Sequence, residues 1–401
     1  KRRSQSGTAD IANFGGEQLY LSNTDFGLVP VVGENYGTSG AGEGISYFGV
    51  AVVKKSWCDA RTNPTFSNLK GQRSCHTGFR KTSGWTLPVG YMTANNVMSV
   101  ISSNANVADD AETVAGFFSS VCAPGGSPNT NGGTYSGLCS GCGQAGCGSD
   151  SLYEGYAGAM RCMMDGNGDV AFVKQSTPID YARNGGSAKA WSTLNQNDMR
   201  LLCPNGGCVP LNQYDSCHIA KAAARAFVAR PGWASAGVGR TVVLNMGSAS
   251  NSAVSSGAGL IDEDYPVSAD TESLTQITGS FTSYFGASAV SAFERIRSLE
   301  AIRVCIPAGI RDFSSTVCNN FFNNKIGGAQ YICVPGGDDE GCSRMISNNQ
   351  ADITNVGGLS MYNANKKYGL VPVVGENYGS AGAGAGVTYF GVAVVKKSWS
   401  Q

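Results

Sequence analysis

Residues 27–57 return almost unchanged at 369–399. The eleven residues from Gly27 to Gly37 (Gly-Leu-Val-Pro-Val-Val-Gly-Glu-Asn-Tyr-Gly) open both copies, and Tyr47 to Trp57 is repeated as Tyr389 to Trp399. The register is fixed, Leu28 against Leu370 and Tyr47 against Tyr389, an offset of 342 residues without a gap. Upstream the match fades but persists, with Ala9-Asp10-Ile11 and Tyr20 answered by Ala351-Asp352-Ile353 and Tyr362. Repeats of about 20 to 50 residues build solenoids. A period this long implies whole globular units in tandem, and the chain is expected to be one period plus the start of the next, a window on a longer array.

A chain of 401 residues is expected to hold about two to three compact domains. Acidic and basic residues balance at 29 each, so no net field recruits nucleic acid or anionic lipid. No apolar run approaches the roughly 20 residues of a membrane span, and no signal-peptide pattern is visible in this window. Fourteen cysteines, an even number, point to an oxidising setting, secreted or on the outer face of the cell surface. Cys139-x-x-Cys142 leaves a zinc knuckle as the rival reading, although the Gly/Ser-rich loop and the neighbouring cysteines favour disulfides. Cys58 follows Trp57, whereas Ser400 follows Trp399. Cys58 is therefore peculiar to the first copy, and Cys208 is its natural partner.

Val29–Val32 and Phe48–Val53 read as short buried strands, apolar and β-branched between glycine-rich stretches. Residues 157–162 running into 168–174 read as a helix followed by a strand. Ala220–Ala226 is expected to be helical on propensity. Residues 287–301 form an amphipathic pattern, followed at once by the strand-like Ile302-Arg303-Val304-Cys305. Strands alternating with helices imply α/β architecture with mixed sheets. Gly141-x-Gly143-x-x-Gly146 fits a dinucleotide pattern but lies in the cysteine cluster with no strand before it, and is set aside. Neither Gly-x-Ser-x-Gly nor His-Glu-x-x-His occurs, and two histidines supply little general-base chemistry. No enzyme is expected.

Ser74-Cys75-His76-Thr77-Gly78, followed by Ser83-Gly84-Trp85-Thr86-Leu87-Pro88, resembles the anion-binding signature of the transferrins. Phe117-Phe118-Ser119 with Cys122-Ala123-Pro124, Gly155-Tyr156-Ala157-Gly158-Ala159 through Lys174, and Leu201-Leu202-Cys203 resemble the same family in the same order. So do Tyr47 to Lys55 and Tyr284-Phe285-Gly286, and the likeness covers nearly the whole chain. The tandem period resembles the multi-lobe, triplicated transferrins of algae. The resemblance implies a disulfide-rich lobe of two α/β domains, built like the periplasmic binding proteins and hinged on two crossing strands. On that template residues 1–46 and 219–300 supply the first domain and 47–218 the second, inserted one. Residues 301–388 begin the next lobe, and 389–401 lead into its second domain. The family pairing implies disulfides Cys75–Cys162, Cys122–Cys142, Cys139–Cys147, Cys203–Cys217, Cys305–Cys342 and Cys318–Cys333. With Cys58–Cys208 these use every cysteine and leave none for zinc.

The same resemblance implies a site for ferric iron, a hard cation that wants oxygen donors. The family supplies Asp, two Tyr and His, and a carbonate completes the set. Carbonate in turn needs a guanidinium, a hydroxyl and helix N-terminal amides. Carried over, the tyrosines are Tyr47 and Tyr156, with Tyr389 serving the next lobe. The aspartate position falls on Gly15, and on Gly357 in the second copy. The histidine position falls on Arg225. The only histidines, His76 and His218, adjoin cysteines in structural motifs. On the anion side Thr77 is kept, Ser83 and Gly84 offer backbone amides, and Lys81 stands for the arginine, keeping its charge but not its bidentate fork. Asp262 stands where the family has a second lysine near Lys174, so an ion pair is expected there.

Arg225 beside a trivalent ion opposes binding by roughly 12 kcal/mol before screening or side-chain movement. The expected function is extracellular iron binding and uptake, with ferric ion and carbonate or bicarbonate as ligands and neighbouring lobes as partners. In this lobe the ferric site is expected to be degenerate or weak, with an anion favoured over metal. The alternative is a non-transporting structural or interaction protein of tandem lobes.

Overall fold

A computed structural model describes residues 9–37, 45–101, 107–125, 135–247, 267, 271–299, 302–307, 318, 321, 331–348, 350–375 and 392–396. The chain divides into two compact units, Lys1–Arg297 and Ser298–Gln401. The strands of the first unit are β1 (Ile11–Phe14), β2 (Val29–Asn35), β3 (Ser46–Lys54), β4 (Arg73–His76), β5 (Ser120–Cys122), β6 (Val170–Lys174), β7 (Met199–Leu202), β8 (Cys208–Val209), β9 (Ala220–Ala223), β10 (Ala226–Ala229) and β11 (Ser273–Gln276). They form two sheets. One is antiparallel, in the order β1-β10-β2-β11. The other is mixed, in the order β5-β4-β6-β3-β7-β8, with β9 also paired to β3. In it β4 runs parallel to β5 and β6, while β3 is antiparallel to β6, β7 and β9.

The chain crosses between these sheets twice. It leaves β2 for β3 through residues 36–45, and it leaves β9 for β10 through Ala224 and Arg225 alone. The helix expected over Ala220–Ala226 is therefore not there. Its Ala-Lys-Ala-Ala run pairs with β3 in the register Ser46↔Ala223 to Gly49↔Ala220, and β10 pairs with β1 and β2. Ladder hydrogen bonds on both sheets outweigh a helix propensity of a few tenths of a kcal/mol per residue. Elsewhere the expected elements form: helix Gly155–Met164 feeds β6, and Ala287–Ser298 is helical.

The mixed sheet is buried on both faces. Val50, Val52, Ala171, Val173 and Leu201 meet Ala159, Met160 and Met163 of helix Gly155–Met164 in one core. That accounts for the unbroken apolar runs in β3 and β6. A separate core of Val31, Val32, Phe227, Ala229 and Val243 serves the antiparallel sheet.

The second unit holds β12 (Ile302–Ile306), β13 (Tyr331–Pro335), β14 (Ile353–Val356), β15 (Leu370–Gly375) and β16 (Val392–Lys396) in the order β13-β12-β14-β16-β15. β12, β13 and β14 are parallel, and β16 is antiparallel to its neighbours.

Seven disulfides join Cys58–Cys208, Cys75–Cys162, Cys122–Cys142, Cys139–Cys147, Cys203–Cys217, Cys305–Cys342 and Cys318–Cys333. These are the partners set out above. Cys139 and Cys142 are each bonded elsewhere, so that pair offers zinc no thiolate. Among the described residues no helix is long and apolar enough to cross a membrane.

Candidate functional site

A cleft of ≈ 550 Å³ opens in the first unit. Tyr36, Tyr47, Tyr156, Arg80, Lys81, Lys174 and Arg225 line it, together with Gly15 to Gln18, Thr82 and Ala223. Each arrives from the end or start of a regular element. Gly15 caps helix Gly16–Thr24, Tyr47 is the second residue of β3, and Tyr156 lies in the first turn of helix Gly155–Met164. Lys174 ends β6, and Lys81 precedes a short π-helical turn, Thr82–Thr86. Arg225 sits in the two-residue crossing between β9 and β10.

The three tyrosines are half-buried along the cleft wall. Burial pushes the Tyr47 phenol well above its ordinary range; the neighbouring Tyr156 adds to this and a hydrogen bond with Thr82 opposes it. Tyr156 Oη accepts a hydrogen bond from Ser83 Oγ at 3.1 Å, and Lys174 Nζ lies 5.0 Å from its ring centre. Burial likewise raises Tyr36, whose Oη accepts the Arg225 backbone N–H at 3.2 Å. Such phenols stay protonated unless a strong positive charge arrives.

On the anion side Thr77, Ser83 and Gly84 are buried just behind the cleft wall. Gly84 has to be glycine, because a Cβ there would lie 2.0 Å from Thr77 Oγ1. Lys81 is not left facing the cleft alone. It forms an ion pair with Glu154, and burial lowers its pKa. Arg80, at φ 56°, bonds the buried Asp110 at 3.1 and 3.2 Å, and Asp110 also accepts Trp85 Nε1–H at 2.9 Å.

Arg225 dominates the remaining wall. Its stem lies over Gly15, where a Cβ would sit 2.8 Å from Arg225 Cγ. Its Nε is 3.6 Å from Oε1 of Glu34, a fully buried carboxylate. Asn13 Nδ2 donates to Glu34 Oε1 at 2.6 Å and Thr271 Oγ1 to Oε2 at 2.8 Å. The Arg225 backbone is fixed as well: its carbonyl accepts Glu34 N–H at 2.8 Å and Tyr284 Oη–H at 3.1 Å. Reasoning from ligand motifs missed Glu34 and Tyr36. The signal was available, since both lie in the Gly-Glu-Asn-Tyr-Gly segment that the second copy repeats.

Neither histidine reaches the cleft. His76 is buried, with Nδ1 2.7 Å from Gly84 O and Nε2 3.0 Å from Ser74 Oγ. Burial lowers its pKa to about 4, and the Gly84 hydrogen bond only partly opposes this. His218 Nδ1 lies 2.8 Å from Tyr214 O. Tyr389 and Asp262 fall outside the described residues. Gly357 caps helix Gly358–Tyr368 as Gly15 caps its own helix. Among the described residues no three His, Cys, Asp or Glu side chains gather as a metal site, so any metal would depend on the tyrosines.

Comparison with known proteins places this geometry in context. The family described as Transferrin matches residues 4–239 and 302–401. Melanotransferrin of Homo sapiens is 30% identical over 413 residues, covering 98% of this chain and 53% of that protein. Serotransferrin of Gadus morhua is 30% identical over 408 residues, 98% of this chain and 58% of that protein. Serotransferrin of Mus musculus reaches 38% identity over 232 residues, 56% of this chain and 30% of that protein. The chain thus spans about half the length of the first two relatives. The solved structure of transferrin 1 from Manduca sexta shares the fold, with a TM-score of 0.58 at 21% identity over 94% of this chain and 59% of that one. The family is one of binding proteins rather than enzymes. On the extent of these matches, the chain belongs to the transferrin family.

Proposed function

We propose that this chain is part of an extracellular iron-binding and iron-uptake protein, and that its first unit carries a weakened ferric site. The observation that carries the reading is the meeting of Tyr47 and Tyr156 in one cleft beside the Thr77–Gly84 segment. Two phenolates and a carbonate supply hard oxygen donors. Gly15 supplies no donor and Arg225 supplies a charge of the wrong sign, which makes this site weaker than one with four protein ligands. Thr77, Ser83, Gly84 and Lys81 would hold the carbonate, with Lys81 released from Glu154 to do so. Domains 1–46 with 219–300, and 47–218, would form the walls of the lobe. Residues 301–388 and 389–401, including Gly357 and Tyr389, would begin the next lobe of a multi-lobe array of the algal triplicated kind. Seven disulfides support a secreted or cell-surface location.

A second reading has its own support: Glu34 faces Arg225 and Glu154 pairs with Lys81, so two of the cleft's cations have acidic partners without metal. Under it the lobes form a non-transporting structural or interaction array. Titration with iron and bicarbonate separates the two. A visible phenolate-to-iron band that disappears in Tyr47→Phe and in Tyr156→Phe is the expected result. A chain that stays colourless at saturating iron favours the array.

A further inference from the structure

We propose that the place between β14 and β15 is an acceptor slot for a partner strand of the Ala-Phe-Val-Ala type, and that β16 holds it as a displaceable stand-in. On the offset of the repeat, β14 and β15 correspond to β1 and β2 of the first unit. There the strand between them is β10; in the second unit it is β16. The registers coincide. Ala12↔Val228, Asn13↔Phe227 and Pro30↔Val228 are answered by Thr354↔Val394, Asn355↔Ala393 and Pro372↔Val394. The irregularity recurs too, with Val31 skipped in one ladder and Val373 in the other.

β16 is nevertheless not a copy of β10. Its sequence, Val-Ala-Val-Val-Lys, is that of residues 50–54. In the first unit those residues belong to β3, where they pair with β6 and β7 in the mixed sheet. One sequence thus takes two unlike places. In the second unit it lies in the slot and register that β10 fills in the first.

The stand-in matches the ladder but not the core. Where β10 brings Phe227, the same register position of β16 has Ala393. Phe227 shares one core with Val31, Val32 and Val243, and Val31 is 4% exposed. Val373, at the position equivalent to Val31, is 41% exposed. An aromatic residue at the register position of Ala393 would restore part of that cover, and alanine in place of a core phenylalanine forfeits it. Main-chain hydrogen bonds supply the affinity of an added strand whatever its sequence, and side chains supply its selectivity. An empty slot would leave β14 and β15 each with a row of unpaired N–H and C=O groups. A poorly matched strand is therefore held there, and a better matched one displaces it.

The test adds a synthetic peptide of residues 222–231, Ala-Ala-Ala-Arg-Ala-Phe-Val-Ala-Arg-Pro, to the whole chain and follows amide hydrogen exchange by mass spectrometry. A tethered strand competes at an effective concentration on the order of millimolar, so the peptide is titrated into that range. Exchange at Val392–Lys396 should rise roughly tenfold or more, while β10 and β14 keep their protection. A peptide carrying Phe227→Ala should need roughly tenfold more for the same release. The Val394→Pro chain, whose β16 loses a ladder donor, should take up the unaltered peptide at a lower concentration than the unaltered chain does. Equal potency of the two peptides, or no uptake by the Val394→Pro chain, overturns the proposal. So does a β16 that stays protected in the unaltered chain throughout the titration.

Discussion

Arg225 and Gly15 form a steric couple. The backbone of Gly15 is extended, at φ −134° and ψ 164°, so an alanine there meets no torsional penalty and only the arginine stem opposes it. Gly15→Ala should therefore cost about 1–2 kcal/mol of unfolding free energy. Arg225→Ala removes the obstacle, so the double variant should be no less stable than Arg225→Ala alone. Chemical denaturation of the four proteins checks this; additive losses would mean that the stem does not rest on Gly15. His76 gives a second test. Its folded pKa, about 4, lies below its ordinary 6.5, so the unfolded chain binds the proton more tightly. The contribution is fully present above pH 6.5 and is lost as pH falls toward 4, by roughly 3 kcal/mol in all. His76→Gln should remove that part of the pH dependence in urea unfolding, and an unchanged slope would show that His76 is not the group responsible.

At the scale of elements, the legible parts of the sequence were those where side-chain pattern and pairing partner agree. β3 and β6 are apolar on both faces because both faces are covered, and their runs could be read directly. Residues 220–226 could not be read, because alanine says little about which partner will saturate the backbone. The answer came from β3, β1 and β2, distant in sequence. The candidate site divides in the same way. Tyr47, Tyr156 and Arg225 followed from motif position, whereas the Glu34 clamp required knowing that β2 and β10 are neighbours. The Cys58–Cys208 bond ties helix Lys55–Asp59 to β8 across a separation of 150 residues, and Ser400 shows that the second copy lacks its half of such a bond. Replacing both cysteines by serine should lower stability by about 3 kcal/mol, and the unfolding temperature by roughly 5–10 °C. Calorimetry that shows no shift would mean that the neighbouring disulfides already restrain this segment.

Across the whole molecule, the repeat allows one sequence to be compared with itself in two settings. Tyr20 is 3% exposed, stacked 5.2 Å from Phe293 and tilted 6.0 Å from Phe285. Its counterpart Tyr362 is 57% exposed, and Val373 is 41% exposed where Val31 is 4% exposed. Near-identical strands and equivalent helices thus end with different surfaces: in the first unit segment 281–293 lies over the face that carries Tyr20, and Val31 packs in the core with Phe227 and Val243. Among the described residues of the second unit no aromatic ring stacks on Tyr362; only Lys366 Nζ lies near, 5.9 Å from the ring centre. Burial also raises the pKa of Tyr20. Tetranitromethane attacks exposed phenolate, so it should nitrate Tyr362 well before Tyr20, with the order read by peptide mass spectrometry. Equal protection of the two would mean that the Tyr362 face is covered in solution. Prior reaction at Tyr20 would mean that segment 281–293 does not stay over its helix.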